Sequence, residues 1–470
     1  MRKLSELYPN CDDTMINEIK INSKEVQEGD IFVCTHGVTA DRHDFIEEAI
    51  QNGAKAIVVE KDVNATVPTI KVENTNKELP LLASRFYNHP EEKLEIIGIT
   101  GTNGKTTVAS IIQDLIGKDI CGYLGTNGLI YQDVVEPIRN TTPDADRLYK
   151  YFDCFVQNGC KFLSMETSSE AFYRERLQNI TFKVGVITNI TEDHLNIHKT
   201  IENYVSCKKE LLKQVAKDGY SILNTEDKYY LEFREIACGT ILTYGKQDAT
   251  LKIIEINEYE DFTHFKVLYN QKEYDINSPL LGEFNVYNLC AGILTLIALG
   301  YQMEEIIPNI KNIKVPNGRV EFLNFNQNYK IVLDYAHTPD AFSKIYPFLQ
   351  KIKKNRIITV TGSAGGREKE KRGPMGKIVL DNSDYVIFTM DDPRLEDVNA
   401  IIDDLVSNAT TNNYERIIDR KEAIFHALDI AEEDDIILIA GKGTDNYMAL
   451  GNEYLPYSDL EVIKEYFSKE

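Results

Sequence analysis

Short apolar runs alternate with helical patterns from near the start of the chain. Apolar runs lie at residues 30–34 and 54–60, and a stretch with helical spacing lies between them at 44–52. Strands buried in a sheet that is covered by helices have this continuous apolar character. The pattern predicts a small α/β domain over residues 1–88.

The same alternation extends through a longer second segment. Its strand candidates are short and apolar, and they lie at 94–99, 162–165, 184–188 and 221–223. Helical stretches such as 108–116 and 204–216 separate them. This order predicts a central, mostly parallel sheet of the P-loop ATPase kind, with helices on both faces, over residues 89–314.

A third segment restarts the pattern. Its buried-strand candidates lie at 331–334, 357–361, 385–389 and 436–440. Their alternation with helical stretches predicts a dinucleotide-binding-like, Rossmann-type domain over residues 315–470. The fold class expected for the whole chain is therefore α/β with three domains.

Residues 96–110, IIGITGTNGKTTVAS, combine an apolar strand, a glycine-rich turn and a helix start. Glycines let backbone N–H groups close around phosphate oxygens, and the free amides of the helix start add positive potential. Lys105 can then reach the β- and γ-phosphates, and Thr106 or Thr107 can hold Mg²⁺. The strict motif would have a glycine where this chain has Ile99, so the spacing is irregular. The strand and helix on either side still predict a nucleotide site.

Polar side chains follow two further predicted strands. Glu166 follows the run at 162–165, and Asp193 and His194 follow the run at 184–188. Because ligands of such sheets gather at the carboxyl ends of the strands, these groups could bind Mg²⁺ or order its water. Each alone is also compatible with helix capping or a structural histidine; their shared edge favours function. The composition of the sequence around Lys208, by contrast, is typical of a solvent-exposed lysine on a helix.

Other polar clusters leave two interpretations open. Arg367 in a Gly/Arg/Lys loop and Lys442 in a GKG turn could bind anions, and Arg394 could bind a carboxylate through two parallel hydrogen bonds. The same sequences could instead form a surface loop and a proline turn. The clusters at 22–24 and 41–43 by themselves indicate turns and helix caps.

The composition restricts the classes of function. The 470 residues carry a formal net charge of −22, which argues against nonspecific nucleic-acid binding, since neutralising phosphates requires an excess of Lys and Arg. Eight cysteines are scattered without zinc-ligand spacing, as in a cytosolic protein with reduced thiols. The N-terminus lacks the apolar core of a signal peptide, and no apolar run reaches the roughly 18 residues of a membrane span. We therefore expect a cytoplasmic protein.

An ordered series of motifs extends from residue 22 to residue 458. It includes TGTNGKTT (100–107), NTTP (140–143), METSS (165–169), TNITEDHLNIH (188–198), YVSCKKELL (204–212), LDYAHTPDA (333–341), DDPRLED (391–397) and AGKG (440–443). With these motifs the chain resembles the Mur ligase family, and within it the UDP-N-acetylmuramoyl-tripeptide synthetases. The resemblance implies a domain for the UDP of the substrate, a domain for ATP and a C-terminal domain for an amino acid. It also implies phosphorylation of the D-glutamate carboxylate of UDP-MurNAc-L-Ala-D-Glu, followed by attack of a diamino acid on the acyl phosphate.

The resemblance assigns roles by position. The expected catalytic residues are Lys105, Lys208, Glu166 and His194. The expected ATP-binding residues are Gly101, Thr102, Asn103, Gly104, Lys105, Thr106, Thr107, Asn288, Arg319 and Asp334. The residues expected to hold the UDP-muramoyl-peptide are Ser23, Lys24, His43, Asn140, Thr141, Thr142, Ser168, Arg174 and Arg176. Those expected to hold the amino acid are Arg367, Asp391, Asp392, Arg394, Gly441 and Asp445.

The resemblance further implies ATP and Mg²⁺ as cofactors. The metal would be held by Thr106, Glu166, His194 and a carbamate formed on Lys208. The implied partners are small-molecule substrates, without nucleic acid or a membrane span, and the implied assembly is a monomer.

Several positions depart from the family pattern. Glu170 stands where His is usual and Arg174 where Gln is usual, DNPR becomes DDPR through Asp392, and GKGHE becomes GKGTD, which ends in Asp445. Arg394 would suit the distal carboxylate of meso-diaminopimelate, whereas a carboxylate at position 392 would suit an ammonium. The resemblance favours meso-diaminopimelate. The alternatives are L-lysine or another amino acid, a paralogous ligase acting on a different carboxylate, as folate or cyanophycin ligases do, and a non-catalytic nucleotide-binding regulator.

Overall fold

The computed structural model describes residues 1–37 and 41–468. The N-terminal domain consists of β1 (Arg2–Lys3), α1 (Leu4–Leu7), β2 (Met15–Ile16), β3 (Ile19–Lys20), β4 (Ile31–Val33), α2 (Ile46–Gln51), β5 (Ala56–Val59), β6 (Thr69–Lys71) and α3 (Thr75–Phe86). Strands β3 to β6 form a parallel sheet in chain order, and β1 pairs with β2 in an antiparallel ladder.

The first half of the central domain alternates strands and helices. It contains β7 (Glu95–Thr100), α4 (Lys105–Ile116), β8 (Cys121–Gly125), β9 (Gly128–Tyr131), β10 (Val134–Glu136), α5 (Ala145–Gln157), β11 (Phe162–Glu166), α6 (Ser169–Tyr173), β12 (Phe182–Ile187), α7 (Leu195–His198) and α8 (Ile201–Lys213). The second half contains β13 (Val215–Asn224), α9 (Tyr230–Ile236), β14 (Thr240–Gly245), β15 (Leu251–Glu258), β16 (Thr263–Tyr269), β17 (Lys272–Ser278), α10 (Glu283–Ala298) and α11 (Met303–Ile310).

The central strands form one sheet of 11 strands in the order β10-β9-β8-β11-β7-β12-β13-β14-β15-β16-β17. The ladders from β8 to β15 are parallel, whereas β9, β10, β16 and β17 extend the sheet in antiparallel hairpins. Strand β7 lies between β11 and β12, so the three carboxyl ends that carry the polar motifs are neighbours. The candidate site therefore lies at the edge of the sheet where the carboxyl ends of β11, β7 and β12 meet.

The C-terminal domain repeats the parallel arrangement with fewer strands. Its elements are β18 (Glu321–Leu323), β19 (Lys330–Asp334), α12 (Pro339–Ile352), β20 (Ile357–Thr361), α13 (Arg372–Asn382), β21 (Tyr385–Phe388), α14 (Val398–Val406), β22 (Tyr414–Arg416), α15 (Arg420–Asp429), β23 (Ile436–Ala440), β24 (Tyr447–Leu450), β25 (Glu453–Pro456) and α16 (Asp459–Ser468). The main sheet has the order β18-β19-β23-β20-β21-β22, and β24 and β25 form a separate hairpin.

Helix α10 explains how the central core closes. Nearly every side of this helix is apolar and buried, because it lies between α4 and the sheet. Gly292 permits the close approach, since a Cβ there would lie 2.6 Å from Ile111 Cγ2. Within the described residues, we find no helix with both the length and the apolar character needed to cross a membrane.

The expected three-domain α/β architecture is confirmed, but two details differ. The strand predicted at 221–223 is longer, Val215–Asn224, and it begins where the predicted helix 204–216 has already ended at Lys213. The antiparallel extension of β16 and β17 was not predicted. In these strands buried and more exposed residues alternate, as Phe265 and Val267 do with their neighbours, because only one face of the extension packs on the core.

Candidate active site

The glycine-rich loop connects β7 to α4. Gly104 precedes α4 with φ of 86°, and a Cβ at this position would lie 2.4 Å from Asn288 Oδ1. A side chain is therefore disfavoured by the backbone conformation and by the neighbouring amide. Lys105 Nζ donates hydrogen bonds of 3.0 Å to the carbonyl oxygens of Gly101 and Thr102, so its ammonium is held over the loop.

Glu166 lies at the end of β11, beside the loop, and is 1% exposed. Its Oε1 accepts hydrogen bonds from the Tyr123 hydroxyl at 2.7 Å and the Thr126 amide at 2.9 Å. Its Oε2 accepts from the hydroxyls of Thr106 at 3.0 Å and Thr126 at 3.3 Å. The two threonine hydroxyls can rotate, so a cation at Oε2 could replace their bonds. The structure thus brings Glu166 and Thr106 together, as a shared metal site requires.

Asp193 and His194 follow β12 on the other side of the loop. The His194 backbone has φ of 57°, and its amide donates to Asp193 Oδ1 at 2.9 Å. Burial lowers the pKa of His194 and so favours the neutral imidazole, in which one ring nitrogen keeps a lone pair. Asp193 also faces Lys371 of the C-terminal domain, with 3.9 Å between its Oδ1 and Nζ.

Lys208 on α8 is 1% exposed, so its interpretation as a solvated lysine is wrong. Helix α8 packs against the central sheet and turns this residue toward the phosphate loop, which composition alone cannot reveal. Its Nζ donates to the Gly101 carbonyl at 2.8 Å and lies 4.6 Å from the centre of the Tyr204 ring. Burial lowers the pKa of Lys208 well below its usual value, and the charge of Lys105 acts in the same direction.

One cavity of about 280 Å³ joins these groups. Its walls include Lys105, Thr106, Glu166, His194 and Lys208. Burial also lowers the pKa of Lys105, opposed in part by Glu166. The site therefore combines two lysines with a carboxylate and an imidazole, a set suited to holding phosphate and a metal ion.

These donors fit a divalent cation. The Glu166 carboxylate and the Thr106 hydroxyl are the hard oxygen ligands that Mg²⁺ prefers, and the His194 lone pair is available. Lys208 as an ammonium has no lone pair for a metal ion, and as an amine it offers nitrogen rather than the oxygen that Mg²⁺ prefers. A carbamate on it would add two oxygens, and its remaining N–H could still donate to the Gly101 carbonyl.

A second cavity of about 550 Å³ opens between the central and C-terminal domains, beside the loop. Asn103, Gly104 and Asn288 lie on its wall, together with the aromatic residues Tyr244, Phe284, Tyr287 and Phe348. Aromatic side chains next to a phosphate loop could pack against the faces of a nucleotide base. Asn103 also connects the domains, because its Nδ2 donates to Asp340 Oδ2 at 2.6 Å.

The other predicted nucleotide residues lie around the loop. Arg319 Nη2 lies 3.4 Å from Thr106 Oγ1, and its guanidinium stacks over Tyr335 at 4.5 Å. Asp334 uses both carboxylate oxygens to accept backbone N–H groups, including that of Val320 at 2.8 Å, so it supports the segment that carries Arg319. Thr102, in the loop, and Thr107, in the first turn of α4, are both buried.

The predicted UDP residues of the N-terminal domain divide into two groups. Ser23 and Lys24 line a cavity of about 830 Å³ between the N-terminal and central domains. His43 is 7% exposed and does not line it. Its Nε2 accepts the Glu60 amide at 3.0 Å, which leaves the ring proton on Nδ1, 2.6 Å from Asp41 Oδ1. His43 therefore has no free nitrogen for a ligand and instead stabilises the loop near the cavity.

The NTTP and METSS segments are joined by Thr142. Its hydroxyl donates to the Glu166 carbonyl at 2.9 Å and accepts from the Ser168 amide at 3.0 Å. Arg176 Nη1 donates to the Thr142 carbonyl at 3.0 Å and its Nε contacts Asp144 at 2.6 Å. The residues of the central domain that were predicted to hold the UDP-muramoyl-peptide all line the cavities of 280 or 830 Å³; they are Asn140, Thr141, Thr142, Ser168, Arg174 and Arg176.

The predicted amino-acid residues do not all face open space. Asp392 is 7% exposed and its Oδ1 accepts from Lys442 Nζ at 2.7 Å and from the Ala449 amide at 2.9 Å. Lys442 is completely buried and also lies 3.5 Å from Asp445 Oδ2. The charge of Asp392 is thus already balanced, which removes the reason to expect it to attract a substrate ammonium.

Asp445 lines a further cavity, of about 570 Å³, that reaches the NTTP segment. Burial raises the pKa of Asp445 to about 6, and the nearby carboxylates add to this effect. Arg394 has φ of 52°, and its Nη1 donates to the Gly365 carbonyl at 3.0 Å. Arg367 is near enough to His194 for its positive charge to contribute to the lowered pKa of that histidine. Asp391 and Gly441, the last two predicted residues of this group, pack against each other.

Sequence reasoning missed two residues that hold Glu166, namely Tyr123 and Thr126. Thr126 had a usable signal, because it follows the carboxyl end of β8 in the same sheet. Tyr123 had none, since only the packing shows which group it meets. Lys442 was predicted as a candidate for binding an anion, but the sequence did not indicate that the anion is the carboxylate of Asp392.

The chain matches family models along most of its length. Residues 15–87 match the Mur ligase family catalytic domain, residues 99–296 the Mur ligase middle domain, and residues 318–443 the Mur ligase glutamate ligase domain.

Named relatives match over nearly their full length. The chain is 38% identical over 460 residues to UDP-N-acetylmuramoyl-L-alanyl-D-glutamate–2,6-diaminopimelate ligase of Bacillus cereus, covering 96% of this chain and 94% of that protein. It is 36% identical over 462 residues to UDP-N-acetylmuramyl-tripeptide synthetase 2 of Oceanobacillus iheyensis, again covering 96% and 94%. A solved UDP-N-acetylmuramoyl-L-alanyl-D-glutamate–2,6-diaminopimelate ligase superposes with a TM-score of 0.69 at 27% identity, covering 99% of both chains.

Proposed function

The chain belongs to the Mur ligase family, and on this premise we propose that it adds a diamino acid to the D-glutamate of UDP-MurNAc-L-Ala-D-Glu in peptidoglycan precursor synthesis. It is an ATP-dependent ligase that forms an amide bond and releases ADP and phosphate. The observation that carries the proposal is the single cavity around Lys105, Glu166, His194 and Lys208 at the carboxyl ends of three adjacent strands.

The residues of this cavity have distinct tasks in the proposed reaction. The γ-phosphoryl group passes from ATP to an oxygen of the glutamate carboxylate, and ADP leaves. Lys105, Arg319 and the backbone amides of the loop offset the charge on the phosphates, so positioning and charge neutralisation carry this step. When bound at Glu166 and Thr106, Mg²⁺ would supply further charge neutralisation. The amine then attacks the acyl carbon, phosphate leaves, and the extra proton of the amine goes to solvent.

Lys208 is proposed to act as a carbamate. Formation of a carbamate requires an uncharged amine, which attacks carbon dioxide and releases one proton to solvent. Burial and the charge of Lys105 both lower the pKa of Lys208 and so favour that uncharged form. The product would be an anion on the wall of the cavity that Glu166 and His194 also line, and it would supply oxygen ligands for a second metal ion.

We propose meso-diaminopimelate as the amino acid. The relatives cited above include ligases named for 2,6-diaminopimelate, and Arg394 supplies a guanidinium suited to a distal carboxylate. The contrary argument from Asp392 loses its force, because Lys442 already neutralises that carboxylate. L-Lysine remains the alternative, since Asp445 could bind an ammonium that both amino acids possess.

The cavities suggest a route for each substrate. The 830 Å³ cavity would take the UDP-muramoyl part of the acceptor, and the 550 Å³ cavity would take the nucleotide base. We further propose that the protein acts as a cytoplasmic monomer on small-molecule substrates.

The test is phosphate release from ATP in the presence of UDP-MurNAc-L-Ala-D-Glu and one amino acid at a time. We expect release with meso-diaminopimelate and a product whose mass equals the acceptor plus the amino acid minus water. Faster turnover with L-lysine would overturn the choice of amino acid alone. Absence of release with meso-diaminopimelate, L-lysine and L-ornithine would refute the ligase assignment.

A further inference from the structure

Three cavities meet at one side chain that the family motifs do not include. Arg139 precedes the NTTP segment, and among the described residues it alone lines the cavities of 280, 570 and 830 Å³. These are the cavities that hold the phosphate loop and Glu166, that contain Asp445, and that extend to the N-terminal domain. Arg139 therefore lies where the proposed routes of the substrates converge.

The other arginines on these walls already have protein partners. Arg147 contacts Glu25 at 2.6 Å, Arg174 contacts Glu170 at 2.8 Å and Arg176 contacts Asp144 at 2.6 Å. Arg42 donates to Thr35, and Arg319 lies beside Thr106. Arg139, by contrast, has neither a hydrogen bond nor an ion pair within residues 1–37 and 41–468.

An arginine without a protein partner at the junction of cavities is available to bind an anion. Its planar guanidinium can bind a carboxylate through two parallel hydrogen bonds. The acceptor of the proposed function ends in a glutamate with two carboxylates. One of them must face Lys105 to receive the phosphoryl group, and the other stays anionic through the reaction. This second carboxylate needs a cation near, but outside, the phosphate loop.

We propose that Arg139 binds the carboxylate of the terminal glutamate that does not react. The inference rests on the proposed function. Arg139 thereby fixes which of the two carboxylates is presented for activation. The position before Asn140 supports this choice over the incoming amino acid, because Arg139 and Asn140 both line the 280 and 830 Å³ cavities that the acceptor would span. An anion in the 570 Å³ cavity would not need Arg139, because Lys118 and Lys314 also line that cavity.

The experiment measures binding and turnover of the acceptor and of its two mono-amides, in each of which one glutamate carboxyl is a carboxamide. For the unmodified acceptor, Arg139→Ala should raise Kd and KM about tenfold or more, the range of a lost hydrogen bond to a charged group. KM for ATP should stay the same. One mono-amide should bind the variant and the unmodified protein equally well, and it should be the mono-amide that the unmodified protein still turns over.

The matched control is Arg147→Ala, which removes a cation from the same 830 Å³ cavity but away from the junction. It should change the binding of the acceptor and of both mono-amides by the same factor. Arg139→Lys should recover part of the affinity for the unmodified acceptor and for the mono-amide that keeps the non-reacting carboxylate, because one point charge remains.

Three results would overturn the inference. Arg139→Ala could weaken both mono-amides as much as the unmodified acceptor, it could leave all three unaffected, or the insensitive mono-amide could be the one that is not turned over. Failure of the unmodified protein to bind the acceptor at all would overturn the proposed function together with this inference. Normal binding that is insensitive to Arg139→Ala would overturn this inference alone.

Discussion

Replacing Asp392 by asparagine restores the neutral amide that the family pattern has at this position, and the structure predicts the consequence. Lys442 is completely buried, and Asp392 is its nearest carboxylate at 2.7 Å. Removing one partner of a buried ion pair costs about 3–5 kcal/mol. Asp445 remains 3.5 Å from Lys442, so we expect Asp392→Asn to lie at the lower end, about 3 kcal/mol.

The assay for Asp392→Asn is urea unfolding followed by circular dichroism, since the chain contains no tryptophan. With a slope of about 2 kcal/mol per molar urea, the transition of the C-terminal domain should shift down by about 1.5 M. The double variant Asp392→Asn, Lys442→Met should recover much of this loss, because it leaves no unpaired buried charge. Asp381→Asn, which breaks the exposed pair with Lys377, is the control and should cost less than about 1 kcal/mol.

The same variant tests whether Asp392 selects the amino acid. Because its charge is committed to Lys442, Asp392→Asn should leave the ratio of kcat/KM for meso-diaminopimelate and L-lysine within about threefold of the unmodified protein, which corresponds to less than 1 kcal/mol. A tenfold shift of that ratio toward meso-diaminopimelate, with an unchanged urea transition, would show that the carboxylate interacts with substrate and that the ion pair is not its main role.

Three further predictions concern the loop, the lysine and the acidic pocket. Lys208→Arg keeps a cation but cannot form a carbamate, so it should lower kcat as far as Lys208→Ala does, by about a hundredfold or more; an active arginine variant would show that only the charge matters. Gly104→Ala places a methyl group against Asn288 at positive φ, so KM for ATP should rise about tenfold while far-ultraviolet circular dichroism stays unchanged, and an unchanged KM would contradict the strained loop. Burial raises the pKa of Asp445 from its ordinary value of 3.8 to about 6, so its ionisation opposes folding and its contribution to stability falls as pH rises from about 4 to 6. If its carboxylate binds the substrate ammonium, KM for the amino acid should rise as pH falls below about 6, and Asp445→Asn should remove that inflection; an inflection that persists would assign it to another group.

The sequence by itself determined most of the secondary structure that forms the site. The runs at 94–99, 162–165 and 184–188 are apolar because both faces of a central parallel strand are covered, and each is a strand in the structure. The sequence alone placed the polar residues at the ends of these strands at one edge of the sheet, since carboxyl ends of parallel strands meet there. The glycines of the loop likewise indicated a phosphate site through their backbone freedom.

The tertiary structure alone decided which charges are free. Lys208 has the sequence context of a surface lysine, yet it is buried near Lys105 because α8 packs against the central sheet. Asp392 has the sequence of an exposed turn carboxylate, yet Lys442, 50 residues away, neutralises it. Arg139 has no distinctive motif, yet it is the cation left without a partner among the described residues at the junction of three cavities. Local sequence sets the conformation of each segment, but the pairing of charges and the shape of the cavities depend on contacts between segments that lie far apart along the chain.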